Sequence, residues 1–154
     1  IFMDCDCLCL DDIAKLWAQR DSRYAVQCVQ HDHRPTNTTK FWGAKQTNYE
    51  KKNWSSIMLL NADRCRALTP AYVNAASGLN LHRFRWLADE AEIGALPACW
   101  NHLVGYSDGA LEDQSILHFT EGAPYMAGFE CGKWADVWHR EAVTLRGDPG
   151  SARP

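Results

Sequence analysis

Several features that would assign a function class directly are missing from this sequence. No apolar run approaches the roughly 20 residues that a membrane-spanning helix needs. The basic residues are scattered, with Lys51-Lys52 the densest pair, and the net charge is −3, so we expect no nucleic-acid partner. No glycine-flanked nucleophile elbow surrounds Ser55-Ser56, which disfavours serine hydrolase chemistry.

The cysteines follow no common zinc-binding spacing, and their number, seven, is odd. Cys5, Cys7 and Cys9 alternate along a predicted strand and would therefore point to one side. We interpret the cysteines as small buried hydrophobic residues in a reducing cytoplasm rather than as a metal or disulfide cluster. Seven tryptophans are many for 154 residues, and composition leaves open whether they fill a core or line a sugar-binding groove.

Length and composition predict one domain, because 154 residues that are 46% hydrophobic can bury one core of ordinary size. The opening Ile1-Phe2-Met3 is apolar and has no turn signal before it, which favours a fragment of a longer protein. No basic secretory leader precedes it, so we expect a cytoplasmic location. We predict a domain over residues 1–145 and a disordered tail over residues 146–154.

Strand-like and helix-like patterns alternate along the chain, which predicts an α/β fold with a mixed sheet. Asp11 or Asp12 should cap a helix through Ala18 that places Ile13, Leu16 and Trp17 on one face. Thr69-Pro70 should start a second helix that runs to Ala76 and is stopped by Gly78. The predicted strands cover residues 1–10, 24–30, 54–60 and 115–119. A long loop is predicted over residues 31–48 and a closing helix over residues 134–143.

Asp4-Cys5-Asp6 is the feature with the clearest chemistry. In an extended strand, residues two apart point the same way, so both carboxylates would emerge on one face. Burying two adjacent carboxylates is costly unless a cation neutralises them. The apolar residues before the pair predict a buried strand, and open α/β sheets bind ligands at the ends of such strands. A metal site and a solvated turn both remain open from this spacing alone.

Four blocks in order resemble glycosyltransferase family 8, the glycogenin-like group. The first is the apolar strand with Asp4-Cys5-Asp6 and the Asp12-Ile13 helix start, similar to the Asp-x-Asp signature of that family. Three further blocks carry the resemblance: Asn53-Trp54-Ser55-Ser56-Ile57-Met58-Leu59-Leu60-Asn61, Leu96-Pro97-Ala98-Cys99-Trp100-Asn101, and Ile116-Leu117-His118-Phe119-Thr120-Glu121-Gly122-Ala123-Pro124-Tyr125. The resemblance spans about residues 1–140.

The resemblance implies a GT-A type fold and transfer of a sugar, with retention of configuration, from a nucleotide-diphosphate donor such as a UDP-sugar to an acceptor hydroxyl. The acceptor would be a glycan, a lipid-linked sugar or a protein. It also implies that Asp4, Asp6 and His118 hold a divalent cation. Two carboxylates and an imidazole suit Mn²⁺ better than Mg²⁺.

The resemblance further implies roles for the polar residues of these blocks. We predict catalytic or sugar-facing roles for Asn53, which lies in the second block, and for His82, which lies outside the four blocks. The predicted contacts to the donor come from Ser55, Ser56, Cys5 and Gly122, where a glycine would let the backbone approach the phosphates.

The sequence departs from the family pattern in three places. Ala123 stands where the family has a lysine that meets the donor phosphates, and Lys133 or Arg140 could replace it only if the fold brings them back. The Asp-Gln-Asp block is not visible, and residues 81–87 occupy its interval. Two interpretations stay open there: His82 and Arg83 face the sugar or the diphosphate, or the segment is a plain surface helix or strand. The nucleotide-binding units that precede Asp-x-Asp in the family have no counterpart before Ile1.

We therefore predict the portion of a metal-dependent retaining glycosyltransferase from the Asp-x-Asp motif onward. One alternative is a catalytically inactive binding or scaffold domain of the same fold, and another is a metal-dependent phosphohydrolase. The second usually needs more acidic ligands around two ions, and the remaining acids look like surface charges. His31-Asp32-His33 resembles a metal clip, but we interpret it as part of a solvated loop.

Overall fold

Two small mixed sheets organise the chain, whose computed structural model describes residues 1–39 and 41–146. Within these ranges the seven strands are β1 (Phe2–Met3), β2 (Cys7–Cys9), β3 (Val26–Cys28), β4 (Ile57–Leu60), β5 (Ile93–Ala95), β6 (His102–Leu103) and β7 (Ile116–His118). The helices of the same ranges are α1 (Ile13–Ala18), α2 (Pro70–Ala75), α3 (Gly78–His82) and α4 (Ala135–Arg146). The predicted mixed α/β class is confirmed.

Each sheet combines antiparallel and parallel pairing. The first has the order β1-β4-β3-β5, with β3 and β5 parallel and the other neighbours antiparallel. The second has the order β2-β7-β6, with β2 and β7 antiparallel and β6 and β7 parallel. In the second sheet Cys7 lies directly opposite His118, so their side chains emerge on the same face.

The main hydrophobic core joins the two sheets. Ile57 and Leu59 of β4 pack in one cluster with Cys7 of β2 and Ile116 of β7, and Leu16 of α1 is buried among them. This packing holds the end of β1 and the start of β2 beside β4 and β7. It therefore determines where the connection between β1 and β2 lies.

The predicted continuous strand over residues 1–10 is wrong, because β1 and β2 belong to different sheets. Asp4, Cys5 and Asp6 form the turn that connects them, and the backbone N–H of Cys7 closes it by donating to the Asp4 carbonyl oxygen at 3.2 Å. The cysteines at positions 5, 7 and 9 consequently do not share one strand face. Cys5 is exposed in the turn, whereas Cys7 is buried.

The predicted burial of the first strand is also wrong. Ile1, Phe2 and Met3 are 50%, 43% and 40% exposed. β1 is an edge strand. Among the described residues it pairs only with β4, so its other edge has no neighbouring strand. The acidic turn therefore follows an exposed edge strand rather than a buried central one.

The helix predictions are confirmed in position and corrected in detail. α1 and α2 start at the predicted capping residues, but α2 ends at Ala75, and Gly78, the residue predicted to stop it, is the first residue of α3. Leu16 is fully buried on α1, but Ile13 and Trp17 are exposed, and the Arg20 guanidinium lies 4.9 Å from the centroid of the Trp17 ring.

The segment at 54–60 is part helix and part strand. A single 3₁₀ turn, Trp54–Ser56, precedes β4, so the predicted strand begins only at Ile57. The predicted strand at 24–30 shortens to Val26–Cys28, and the one at 115–119 to Ile116–His118. Within residues 81–87, the end of α3 is followed by a turn that buries Phe84 and Trp86.

The closing helix is longer than predicted and ends at Arg146. The remainder of the predicted disordered tail, residues 147–154, lies outside the described residues. Across the described ranges, no helix combines the length and apolarity that crossing a bilayer requires.

Replacing Asp12 by alanine should lower the free energy of unfolding by about 1 kcal/mol. The Asp12 carboxylate accepts the backbone N–H of Ala14 at 2.8 Å, and alanine would leave that donor without a partner in the first turn of α1. Urea denaturation measures the change. Asp136→Ala on α4 is the control, since its exposed pair with Arg140 at 3.7 Å should contribute less than about 0.5 kcal/mol. Equal stabilities of the two variants would contradict the capping role.

Candidate functional site

The acidic turn is anchored by backbone hydrogen bonds to both sheets. The backbone N–H of Asp4 donates to the Ser56 carbonyl oxygen at 2.8 Å, which ties it to the start of β4. The backbone N–H of Phe119 donates to the Asp6 carbonyl oxygen at 3.0 Å, which ties it to the end of β7. Because both anchors are main-chain bonds, the backbone of the turn is held between the sheets whatever the charge state of the carboxylates.

Asp6 and His118 form the closest acid–imidazole pair of the site. The His118 Nε2 lies 3.7 Å from an Asp6 carboxylate oxygen, and the two side chains are 3% and 17% exposed. The other carboxylate oxygen of Asp6 is buried and has no hydrogen-bond partner among the described residues. A buried carboxylate oxygen without a donor is the arrangement that a cation would satisfy.

Asn101 orients His118 from the opposite side of the ring. The side-chain NH₂ of Asn101 donates to the Asn53 carbonyl oxygen at 3.1 Å and to the Ser56 hydroxyl at 2.9 Å. Its remaining oxygen must therefore accept from the Nδ1–H of His118, at 3.0 Å. The neutral imidazole then carries its lone pair on Nε2, the atom that faces Asp6, which is the tautomer that ligates a metal.

Seven of the nine residues predicted for the site line one cavity of about 140 Å³. They are Asp4, Asp6, Asn53, Ser55, Ser56, His82 and His118. Tyr49, Lys52 and Thr120 complete the lining. We call this the small cavity. The turn, the β4 start, the α3 end and the β7 end meet here, so the tertiary fold brings four separate segments together.

The polar wall of the small cavity is hydrogen-bonded internally. The Ser55 hydroxyl and His82 Nδ1 lie 2.7 Å apart, and the Thr120 hydroxyl donates to the Asn53 side-chain oxygen at 3.3 Å. Asn53 adopts a left-handed backbone conformation with φ of 65°, which an asparagine tolerates better than most residues. Its side-chain NH₂ is buried without a partner among the described residues and is available to a polar ligand.

The remaining two predicted residues lie elsewhere. Cys5 is exposed, with its Sγ 3.7 Å from the Tyr125 hydroxyl. Gly122 lines a separate cavity of about 200 Å³, where a Cβ atom would lie 2.7 Å from the ring of Phe129. The glycine is thus required by close packing against an aromatic ring, and the predicted approach of its backbone to donor phosphates stays a prediction.

Cys7 lies close to the acid–imidazole pair and was interpreted from the sequence only as a small buried residue. One ligand atom each from Asp6, Cys7 and His118 fall within 4.8 Å of one another. Burial, and after it the neighbouring carboxylates of Asp6 and Asp4, raise the pKa of Cys7 above its usual range. Without a bound cation Cys7 is therefore a neutral thiol near pH 7, and it could become a metal ligand only by losing its proton to solvent.

Lys52 is the lysine that lines the small cavity. In the sequence it stands out only as half of the basic pair Lys51-Lys52, with no predicted role. It is 7% exposed, its Nζ donates to the Gln46 side-chain oxygen at 3.4 Å, and it lies 4.9 Å from the centroid of the Tyr49 ring. Lys133 and Arg140 do not line the small cavity. Lys133 lies over Trp134 at 4.3 Å, and Arg140 pairs with Asp136.

A second cavity of about 630 Å³ adjoins the small one and shares Tyr49 and Lys52 with it. We call this the large cavity. The loop after β3, including His31 and His33, forms one wall of it. Burial, followed by the charges of neighbouring histidines, lowers the pKa of His31 to about 4, so its ring is neutral near pH 7. Sequence reasoning missed this cavity because it treated the loop as solvated.

Comparison with known proteins finds a curated relative but no matching family model. No protein-family model matches the chain. The chain is 43% identical over 147 residues to Protein CDI from Arabidopsis thaliana, an alignment that covers 92% of this chain and 56% of that protein. The chain therefore spans little more than half the length of this relative.

Proposed function

We propose that this chain carries the metal-binding portion of a retaining glycosyltransferase with a GT-A type fold, acting on a nucleotide-diphosphate sugar. The observation that carries the proposal is the convergence of Asp6 and His118, whose Oδ2 and Nε2 atoms lie 3.7 Å apart, with Asp4 lining the same cavity. Ligands of one ion at about 2.1 Å each lie within about 4.5 Å of one another. The spacing of the acid–imidazole pair fits that limit.

The residues fit a divalent cation chemically as well as spatially. Asp6 offers a buried oxygen without a partner among the described residues, and His118 offers a lone pair on Nε2 that Asn101 fixes in place. Carboxylate oxygens with one imidazole favour Mn²⁺ over Mg²⁺. When bound, such a cation supplies Lewis-acid stabilisation of the charge that develops on a leaving diphosphate.

The chain's own polar residues would bind and orient the sugar. Asn53 presents a buried NH₂, and Ser55 presents a hydroxyl that His82 holds at 2.7 Å. Groups of this kind recognise sugar hydroxyls. Their hydrogen bonds to one another already restrict these side chains, so they lose less conformational freedom when a sugar binds. Lys52 lies beside the carboxylates and would balance the negative charge of a diphosphate in place of the lysine absent at Ala123.

The acid content of the small cavity argues against the phosphohydrolase alternative. Among the described residues its lining contains two carboxylates, Asp4 and Asp6. The other acids that could have joined them are engaged in local structure: Asp89 and Glu92 form a capping box, and Glu90 pairs with Lys51 at 2.7 Å. Two carboxylates and one imidazole suit a single ion better than the paired ions of many hydrolases.

A binding and turnover experiment tests the proposal. We expect Mn²⁺ to bind the chain, measured by electron paramagnetic resonance of the free ion, and UDP to bind more tightly when Mn²⁺ is present, measured by calorimetry. We expect UDP release from UDP-hexoses that requires Mn²⁺, assayed for the chain and for full-length Protein CDI. Mn²⁺-dependent UDP binding without sugar transfer would favour the inactive binding domain. Phosphate release from a simple ester would favour the hydrolase, and absence of Mn²⁺ binding would reject the proposal.

A further inference from the structure

The large cavity lies beside the proposed sugar site and is of the size that ligand pockets have. Its volume is about 630 Å³, within the range of roughly 300–1,000 Å³ typical of small-molecule sites. Tyr49 and Lys52 line both this cavity and the small cavity. A molecule in the large cavity would therefore lie next to the sugar site at these two side chains.

The charges that face the large cavity are predominantly positive. The charge of Lys51 is balanced by Glu90, a residue outside the lining whose carboxylate oxygen lies 2.7 Å from the Lys51 Nζ. The charge of Glu50 is balanced in the same way by the Arg85 guanidinium, 3.2 Å from its carboxylate oxygen. The other charged residues of the lining are Arg34, Lys52, Arg83 and Asp32. Lys52 also lines the small cavity with Asp4 and Asp6, so the excess of positive charge in the large cavity comes from Arg34 and Arg83 against Asp32.

Three residues that line this cavity carry a buried polar atom with no hydrogen-bond partner among residues 1–39 and 41–146. The atoms are the Nε of Arg83 and the Nε2 atoms of His31 and His33. A buried polar atom that is left without a partner costs about 1–3 kcal/mol, more when the group is charged. Because all three residues line one cavity, a polar ligand toward which these atoms turn would remove this cost, and the guanidinium of Arg83 favours an acceptor of negative charge.

We propose that the large cavity binds the anionic group, a phosphate or a carboxylate, of the acceptor substrate, with Arg83 and Arg34 as its contacts and Lys52 at the wall next to the sugar site. The acceptor assignment rests on the proposed glycosyltransferase function, whereas the anion site itself does not. An acceptor anchored by its charge would present a hydroxyl toward the small cavity, which gives selectivity for acidic over neutral acceptors.

Titration of the metal-free chain tests the anion site. Inorganic phosphate and malonate are added separately, in EDTA and at constant ionic strength because salt screens exposed charges. The readout is the ¹H–¹⁵N signal of the arginine Nε–H groups. We expect saturable binding of at least one probe, and we expect Arg83→Gln to weaken it about tenfold, the loss of one charge-assisted hydrogen bond.

Arg140→Gln is the matched control, because it removes the same charge from α4, outside the lining of both cavities. If thermal unfolding shows that Arg83→Gln does not fold, Arg34→Gln is tested instead, because Arg34 is exposed. We expect the same weakening of probe binding. No saturable binding of either probe, or equal affinities of the cavity variant and the control, would overturn the anion site.

A competition experiment tests the acceptor assignment. With Mn²⁺ and UDP present, the anionic probe should still bind, because donor and acceptor occupy different cavities. Displacement of the probe by Mn²⁺ and UDP would assign the anion site to the donor and overturn the acceptor assignment. Probe binding without any binding of Mn²⁺ and UDP would reject the proposed function while the anion site stands.

Discussion

An Asp6→Asn variant should bind Mn²⁺ at least about a hundredfold more weakly than the unchanged chain. Loss of a residue that merely supports a ligand typically lowers metal affinity about 10- to 100-fold, and Asp6 would be a ligand itself. Asparagine keeps the shape of the side chain but removes its charge. Its NH₂ group would take the place of one carboxylate oxygen, either the buried one that lacks a partner among the described residues or the one that faces His118. Electron paramagnetic resonance of free Mn²⁺ measures the affinity.

Stability separates this effect from unfolding. Asp6 lies two residues from Asp4 in the same turn, so removing one charge relieves repulsion in the metal-free protein, and its free energy of unfolding should be equal or higher. Asp136→Asn, an exposed acid on α4, is the control and should change neither quantity. Unchanged Mn²⁺ affinity in Asp6→Asn would show that Asp6 is not a ligand and would remove the main support for the proposed function.

An Asn101→Ala variant should lose about 2–4 kcal/mol of unfolding free energy, measured by urea denaturation without metal. Asn101 is fully buried, and its side chain satisfies three groups at once: the Asn53 carbonyl, the Ser56 hydroxyl and the His118 Nδ1–H. Alanine would leave the Nδ1–H of buried His118 without its acceptor and would open a small void beside it.

The same variant should bind Mn²⁺ about tenfold more weakly, because His118 would lose the bond that fixes its tautomer and ring orientation. Asn74→Ala, on the exposed face of α2, is the matched control and should lower stability by less than about 0.5 kcal/mol. A destabilised Asn101→Ala protein with unchanged Mn²⁺ affinity would mean that Asn101 supports the fold and does not orient a metal ligand.

Local sequence patterns predicted α1, α2 and α4 but not α3, whose first residue, Gly78, is the one predicted to stop α2. The starts of α1 and α2 follow from side-chain caps, Asp12 and Thr69, which act within one turn and need no tertiary context. The mixed α/β class also follows from the alternation of short apolar runs and capped helical segments. What these patterns did not predict is burial, as Trp17 and Phe2 show: both belong to apolar patterns, yet both are exposed.

The acidic turn shows why a strand pattern alone misleads. Residues 1–10 have the composition of one strand, but the first three pair with β4 and residues 7–9 pair with β7. Pairing partners are distant in sequence, so period-two alternation cannot reveal that the chain changes sheets at Asp4-Cys5-Asp6. The predicted reason for the two carboxylates to converge, one strand face, is therefore wrong, although both line the same cavity.

The sequence by itself determined the helix caps, the mixed α/β class and the residue types available for chemistry, because these depend on neighbours along the chain. The resemblance predicted that Asp6 and His118 lie together, but only the tertiary structure decided their separation of 3.7 Å, the orientation of that histidine by Asn101, and the place of Lys52 in the lining of both cavities. Each of these depends on strands that are remote in sequence packing on one core, and the geometry of such contacts comes from the packing of the sheets rather than from any local pattern.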